Sequence, residues 1–245
     1  MIKRLLYSAF LLLIFAGCKK EEPVYNGDGG VTPVPDAIDL DIIIDKPGGG
    51  EYCVRWASFN LGASSEEESG DFLAWGELQP KNDYSWDTYK WAKGTHVLTK
   101  YCTGESSWAG KKKKPDGKTR LDRADDAATV RLGGKWRMPT QNEMEALLAT
   151  KSDKVNYSWE RVTVSGVSGW RITRLETGAN IFIPQVGSYD GKEKAKWYTD
   201  AGYYWTSDLE TDISGSFAFF NKDDSPYIIS HERSEGMTVR PVWVE

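Results

Sequence analysis

The residues of this chain best suited to chemistry are aromatic. Trp86, Tyr89, Trp91, Trp108, Trp159, Trp170, Tyr189, Trp197 and Tyr198 all fall in polar, turn-rich stretches. An aromatic face with polar groups beside it is what a sugar ring or a protein partner packs against. Trp86, Trp91, Trp108, Tyr189 and Trp197 form the candidate ligand-contacting set. A structural role competes, because a Trp in an irregular segment often plugs a satellite core, and for any single member that role carries more weight. Trp136, Trp205 and Trp243 read as core.

Groups for bond-making chemistry are sparse. The two histidines, His96 and His231, are not spaced with Cys, Asp or Glu as in His-Glu-x-x-His, so no metal and no cofactor is expected. Carboxylates are plentiful, but glycoside hydrolysis needs two of them about 5 to 10 Å apart across a sugar, which sequence spacing does not establish. Glu66-Glu67-Glu68 lies among serines and glycine and reads as a solvated loop. Glu77, after Trp75-Gly76, reads as half of a structural ion pair, and Arg137 as a cation that orders the fold. No catalytic set emerges, and the chain reads as a non-enzyme. Cys53 and Cys102 are a possible disulfide. In an oxidising compartment that bridge would close a loop of about 50 residues and contribute on the order of 4 kcal/mol; two buried free thiols fit as well.

The elements that must position these side chains begin with the N-terminus. Met1-Ile2-Lys3-Arg4 precedes an apolar run over 5–15, then Ala16-Gly17-Cys18 and Lys19-Lys20-Glu21-Glu22. The run is shorter than the roughly 20 residues a transmembrane helix needs and has the charged-then-apolar layout of a secretory signal. Small residues directly before a cysteine resemble the lipobox of bacterial lipoproteins, with Phe15 where Leu is usual. That resemblance implies a signal peptide over 1–17 and lipid attachment at Cys18, with the membrane as a partner through the anchor. The Lys-Lys-Glu-Glu stretch resembles the tail that sends some lipoproteins of Bacteroidota to the cell surface. The expected place is the outer membrane, facing outward, with the periplasmic side as the alternative.

A net charge of −5, and a basic run at 111–114 set among turn residues, argue against nucleic acid as a partner. Residues 18–50 are rich in Pro, Gly and Asp and read as a flexible tether. The β-branched run at 40–44 is the exception; it either pairs as a strand or continues the linker. The folded domain is expected over 51–245. One helix is expected from near Asp122 to Gly133-Gly134. A second follows Thr140-Gln141-Asn142-Glu143, which fits a capping box, with Met144, Leu147 and Leu148 as its apolar face. Strands are expected over 161–164, 170–174, 181–184, 203–207, 216–221, 227–230 and 238–244. Turns are expected at Ser168-Gly169, Asp190-Gly191 and Asp223-Asp224-Ser225-Pro226. The sum is an α+β domain with a mostly antiparallel, meandering sheet.

The series Phe72-Leu73-Ala74-Trp75-Gly76-Glu77, Asp83-Tyr84-Ser85-Trp86, Asp125-Asp126-Ala127-Ala128, Gly133-Gly134-Lys135-Trp136-Arg137-Met138-Pro139-Thr140, Gly202-Tyr203-Tyr204-Trp205-Thr206-Ser207 and Val239-Arg240-Pro241-Val242 resembles the Fibrobacter succinogenes major paralogous domain over about 51–244. The resemblance implies a C-type-lectin-like fold, two helices flanking a twisted, mostly antiparallel sheet with long loops. Gln185 and Val186 depart from it, standing where related domains tend to have two small residues. The Glu-Pro-Asn or Gln-Pro-Asp and Trp-Asn-Asp sets of calcium-dependent lectins do not occur, and Trp205-Thr206-Ser207-Asp208 offers only Asp208 as an oxygen ligand. Neither Cys53 nor Cys102 sits in the cysteine motif of formylglycine-generating enzymes. The functional expectation is a surface-anchored lipoprotein whose loops contact a glycan or another envelope protein. The alternatives are an enzyme acting on extracellular polysaccharide and a structural envelope or fimbria-associated subunit.

Overall fold

Leu40, Ile42 and Ile44 alternate with Asp39, Asp41 and Ile43, the period of a half-buried strand, and this run is β1 (Ala37–Asp45). The computed structural model describes residues 32–104, 107–109, 114–196, 198–222 and 225–245. β1 pairs antiparallel with β2 (Glu51–Ala57), with a bulge between Asp39 and Ile42. The tether expected over 18–50 is therefore too long: the folded part includes β1 and reaches back to the buried Thr32 and Pro35. Three branched side chains at a two-residue period gain about 1.5–3 kcal/mol each on burial, which a free linker forgoes. The signal segment over 1–17, Cys18, the lysines at 111–113 and the Asp223-Asp224 turn lie outside the described residues.

Two short helices follow, and both are set by their caps. The Asp126 side chain accepts from the Thr129 amide at 2.9 Å and starts α1 (Ala127–Leu132). The helix thus begins later than Asp122, because the acidic residues before it serve other bonds, Asp125 taking the Tyr101 hydroxyl at 2.6 Å. Thr140 and Glu143 form the expected capping box on α2 (Gln141–Ala149). Between the helices, β3 (Trp136–Arg137) is a two-residue strand.

Most remaining residues form antiparallel strands. β4 (Tyr157–Val164), β5 (Val167–Arg174) and β6 (Asn180–Pro184) make one sheet in that order. The β4–β5 turn is Ser165-Gly166, both at positive φ (48° and 87°), as a two-residue hairpin with right-handed twist requires. Ser168-Gly169, expected as a turn, lies inside β5. Gly169 is needed there because a Cβ would meet the Ile183 carbonyl at 2.4 Å and the Phe182 ring at 2.5 Å. After the short pair β7 (Tyr189–Asp190) and β8 (Glu193–Lys194), β9 (Gly202–Thr211), β10 (Ser214–Phe220) and β11 (Tyr227–Glu232) form a second three-stranded sheet, with β10 central and β11 at its edge. The chain ends on β12 (Val242–Val244), shorter than expected because Pro241 has no amide with which to extend the ladder. β12 inserts between β2 and β3, giving the order β1-β2-β12-β3.

Among the described residues the architecture is mostly antiparallel β with two short helices. Its β9–β11 sheet is covered on both faces. Trp205, Phe217 and Phe219 look into one cluster with Trp75, Tyr101 and α1. Tyr204, Ala218, Phe220 and the half-buried Ile228 look into the other with α2, β1 and β5. Two core tryptophans tie distant segments reciprocally, Trp75 Nε1 donating to the Thr206 carbonyl at 2.9 Å and Trp205 Nε1 to the Leu73 carbonyl at 2.8 Å. Trp243, expected as core, is half-buried, with the Arg55 and Lys135 cations each 4.9 Å from its ring. Among the described residues no helix is long and apolar enough to cross a membrane.

Candidate functional site

Of the aromatic set expected to contact ligand, Trp86 is buried and Trp91, Trp108 and Tyr189 are half-buried. Ala74, Tyr84, Trp86, Tyr89, Leu98 and Cys102 form a third apolar cluster on which Phe72, Trp91, Trp108 and Tyr189 pack. Trp86 is 7% exposed, and its Nε1 donates to Glu232 at 2.8 Å. Trp91 donates to the Gly76 carbonyl at 2.9 Å, and Lys90 and Lys100 stand 4.2 and 5.0 Å from its ring, where a sugar would have to stack. Tyr189 meets Phe72 at 4.9 Å and Tyr84 at 5.6 Å between ring centres. Trp108 bridges to Leu98. Among the described residues no helix or strand lies between β2 and α1; large rings supply the burial that such elements otherwise provide. Trp197 lies outside the described residues.

Cys53 and Cys102 are both free thiols, so the possible disulfide is not formed. Cys53 lies on β2 with its thiol 3.4 Å from the Asp39 carboxylate, whereas Cys102 is fully buried in the third cluster against the Gly104 carbonyl at 3.1 Å. Burial, with a nearby carboxylate, pushes each thiol up to about 11, which keeps both protonated and unreactive at neutral pH.

Glu77, Asp208 and Arg137 are committed to structural bonds. Glu77 pairs with Lys81 at 3.0 Å and accepts from the Lys90 amide at 2.8 Å. Asp208 holds Arg120 at 2.5 Å and the Gln141 amide, at the start of α2, at 2.6 Å. Arg137 donates to both Glu143 oxygens. Among the described residues no group of three or more His, Cys, Asp or Glu converges as a metal site.

An open cleft of about 510 Å³ lies where the acidic loop faces the β4–β5 turn, lined by Glu67, Glu68, Ser168, Gln185, Val186, Lys194 and Thr199 among others. Its volume falls within the range of about 300–1,000 Å³ usual for small-ligand sites. The loop is not simply solvated. Glu66 fastens it to β5 through two bonds to Arg171, at 2.6 and 2.7 Å. Glu68 accepts from the Ser64 amide at 2.7 Å, and that bond holds its carboxyl below the usual range. Gln185 makes the floor: 7% exposed, it accepts from Arg161 and donates to the Phe220 carbonyl at 2.6 Å, joining the β4–β6 sheet to β10. Two small residues at 185 and 186 would lack that span. Lys194 reaches the Val186 carbonyl at 3.3 Å on the rim. Carboxylates, an ammonium and the hydroxyls of Ser69, Ser168 and Thr199 converging on one concavity can accept from and donate to a ligand rich in hydroxyl groups.

Beyond the loop that carries Thr199, aromatic side chains reach the surface. Tyr198 is 64% exposed with its backbone in the left-handed region, φ 51°. Its ring leads through Phe219, at 5.5 Å, to Tyr227, a further 5.4 Å on. Tyr227 and Ile229 are 44% and 45% exposed on β11. The alternation of Tyr227 and Ile229 with Ile228 fixes two faces; which face stays open is decided by α2 lying over the other.

Both histidines converge on the turn after β11. His231 Nδ1 is 2.7 Å from Glu235, and His96 Nε2 is 3.3 Å from Glu232. The Glu235 hydrogen bond, aided by Glu232 and Asp190, raises the His231 value above its ordinary 6.5. Burial raises Glu235 as well. Groups whose folded values are raised favour the fold on the acid side and lose that contribution as pH rises through those values. The urea midpoint of the wild type, relative to His231→Gln, is therefore expected to fall as pH rises from 6.5. Equal midpoint shifts in the two proteins across that interval would contradict the assignment.

Comparison with known proteins found no matching family model, no matching curated protein and no matching solved structure.

Proposed function

We propose that the protein is a lipid-anchored module of the outer membrane, displayed at the surface, that holds a hydroxyl-rich ligand such as a glycan chain in the cleft between the acidic loop and Gln185. The observation that carries this reading is the cleft itself, with its converging hydrogen-bonding side chains. The signal and Cys18 read in the sequence support the anchor. The motif series supports a domain of the Fibrobacter succinogenes major paralogous, C-type-lectin-like type. The antiparallel sheets and paired short helices fit that type. Glycan recognition here rests on the polar cleft, since Trp86 is buried and Trp91 is half-buried beneath two lysines.

A glycan array probed with the chain lacking its first eighteen residues tests the reading. Binding to a defined glycan class is expected, with Glu67→Ala weakening it about tenfold, the loss of roughly one hydrogen bond to a charged group. Silence across the array, or binding indifferent to Glu67→Ala, would sink it. A folded variant is expected in either case, because Glu67 makes no hydrogen bond or ion pair among the described residues.

A further inference from the structure

We infer that Tyr198 is a stacking platform beside the cleft, and that the ligand is therefore an oligosaccharide of at least two pyranose units, one hydrogen-bonded in the cleft and the next lying on the Tyr198 ring. The inference rests on the cleft reading and extends it by one residue. A pyranose presents two kinds of surface. Its hydroxyls need hydrogen-bonding partners, whereas its C–H face packs against apolar groups, best of all an aromatic ring with polar groups beside it. The cleft supplies the first kind through Glu67, Glu68, Ser168 and Thr199, but among the described residues no aromatic side chain lines it. Tyr198 precedes Thr199 in the chain, and at 64% exposure it carries the most exposed aromatic ring among the described residues.

A single exposed ring is ordinary on a protein surface; the way this one is held is not. The Gly187 amide, two residues past Gln185, donates to the Ala201 carbonyl at 2.8 Å, and the Ala201 amide donates to the Tyr198 carbonyl at 3.1 Å. Two hydrogen bonds thus link the floor of the cleft to Tyr198. The Tyr203 hydroxyl reaches the same Tyr198 carbonyl at 3.5 Å, and Asp200 pairs with Lys222 at 3.3 Å. Together these bonds keep Tyr198 at φ 51°, a left-handed backbone that a bulky residue leaves unless its surroundings fix it. The ring is fixed as well, meeting Phe219 edge to face at 5.5 Å and 76°.

The consequence for binding is twofold. Immobilising side chains on association costs affinity, and a ring already held by its backbone and by Phe219 has little freedom left to lose. Adjacent Cα atoms are about 3.8 Å apart, so a sugar bonded at Thr199 brings the next unit of its chain to Tyr198. A monosaccharide in the cleft leaves the ring uncovered, whereas a chain satisfies the hydroxyl-binding walls and the aromatic face at once. Length of the ligand, and not only its hydroxyl pattern, is what the site selects.

Tyr198→Asn and Tyr198→Phe in the full chain, held in detergent, test this. Asparagine tolerates the left-handed backbone, so the first variant removes the ring and keeps the turn; phenylalanine keeps the ring and removes only the hydroxyl. Each protein is applied to immobilised glucose, N-acetylglucosamine, galactose and mannose series of one to four units. The wild type is expected to bind two units or more of a series about tenfold more tightly than one. Tyr198→Asn is expected to lose that gain and leave the single unit unchanged, and Tyr198→Phe to retain it. Binding indifferent to length, Tyr198→Asn equal to the wild type, or Tyr198→Phe as weak as Tyr198→Asn would each overturn the stacking role. Glu67→Ala, run alongside, separates the two readings. Loss in Glu67→Ala with Tyr198→Asn unaffected overturns this inference alone, whereas silence of the wild type on every series removes the cleft reading and this one with it.

Discussion

Arg233→Met is expected to cost the fold about 4 kcal/mol or more, a large part of the 5–15 kcal/mol typical of a domain. Arg233 is fully buried, yet all its hydrogen-bond acceptors are neutral. Nε donates to the Tyr89 hydroxyl at 2.8 Å, one terminal nitrogen to the Tyr101 and Asp212 carbonyls at 2.8 and 2.9 Å, and the other to the Lys100 carbonyl at 2.9 Å. The rings of Trp75 and Tyr89 lie 5.1 and 5.2 Å from its guanidinium carbon. One side chain thereby satisfies the backbone of the loop around Lys100, which has no ladder of its own. Methionine fills the space but leaves three carbonyls and a hydroxyl without their donor, each costing about 1–3 kcal/mol when buried. Lysine is expected to rescue little, since it lacks the planar fork. Denaturant unfolding measures the loss, and a change below about 1 kcal/mol would mean that water or rearrangement replaces the guanidinium.

Glu143→Ala is expected to destabilise by about 3–5 kcal/mol, the range for breaking a buried ion pair by removing one partner. Glu143 is fully buried; its carboxylate takes both Arg137 terminal nitrogens, the Tyr52 hydroxyl at 2.6 Å and the Thr140 amide at 2.8 Å. The alanine variant loses the capping box and strands the Arg137 cation. Burial works to raise the Glu143 carboxyl, but the Arg137 pair and Tyr52 outweigh it and hold the value below the ordinary 4.5. Its stabilisation is thus fully present above pH 4.5 and is lost as pH falls through the lower folded value. Glu143→Gln, unable to titrate, is expected to flatten that part of the acid limb. An unchanged acid limb in the glutamine variant would assign acid unfolding to other carboxylates.

What could be read in advance was local. The capping box at Thr140 and Glu143 is legible because both of its bonds close within one turn of chain, and most strands from 157 onward are legible because their apolar alternation is continuous. The late start of α1 was hidden, since Asp125 turns away to Tyr101, more than twenty residues earlier. The fate of the tryptophans was hidden for a similar reason: whether Trp86 or Trp91 faces solvent depends on Glu232 and Lys100 arriving from elsewhere. Gln185 and Val186 could be flagged as unusual, but not as a cleft floor, because the acidic loop, the β4–β5 turn and the segment after β8 meet there only in three dimensions.

The sheet order β1-β2-β12-β3 also governs when the molecule can become whole. A chain that emerges N-terminus first presents Val54 and Trp56 long before Val244 and Val242, their neighbours in the ladder. The seam stays open until Val242–Val244 have emerged, so the sheet closes late. Pairing between the two ends of a chain is intrinsically slow to form. Here that slowness leaves β2 without its inner neighbour while the rest of the chain folds.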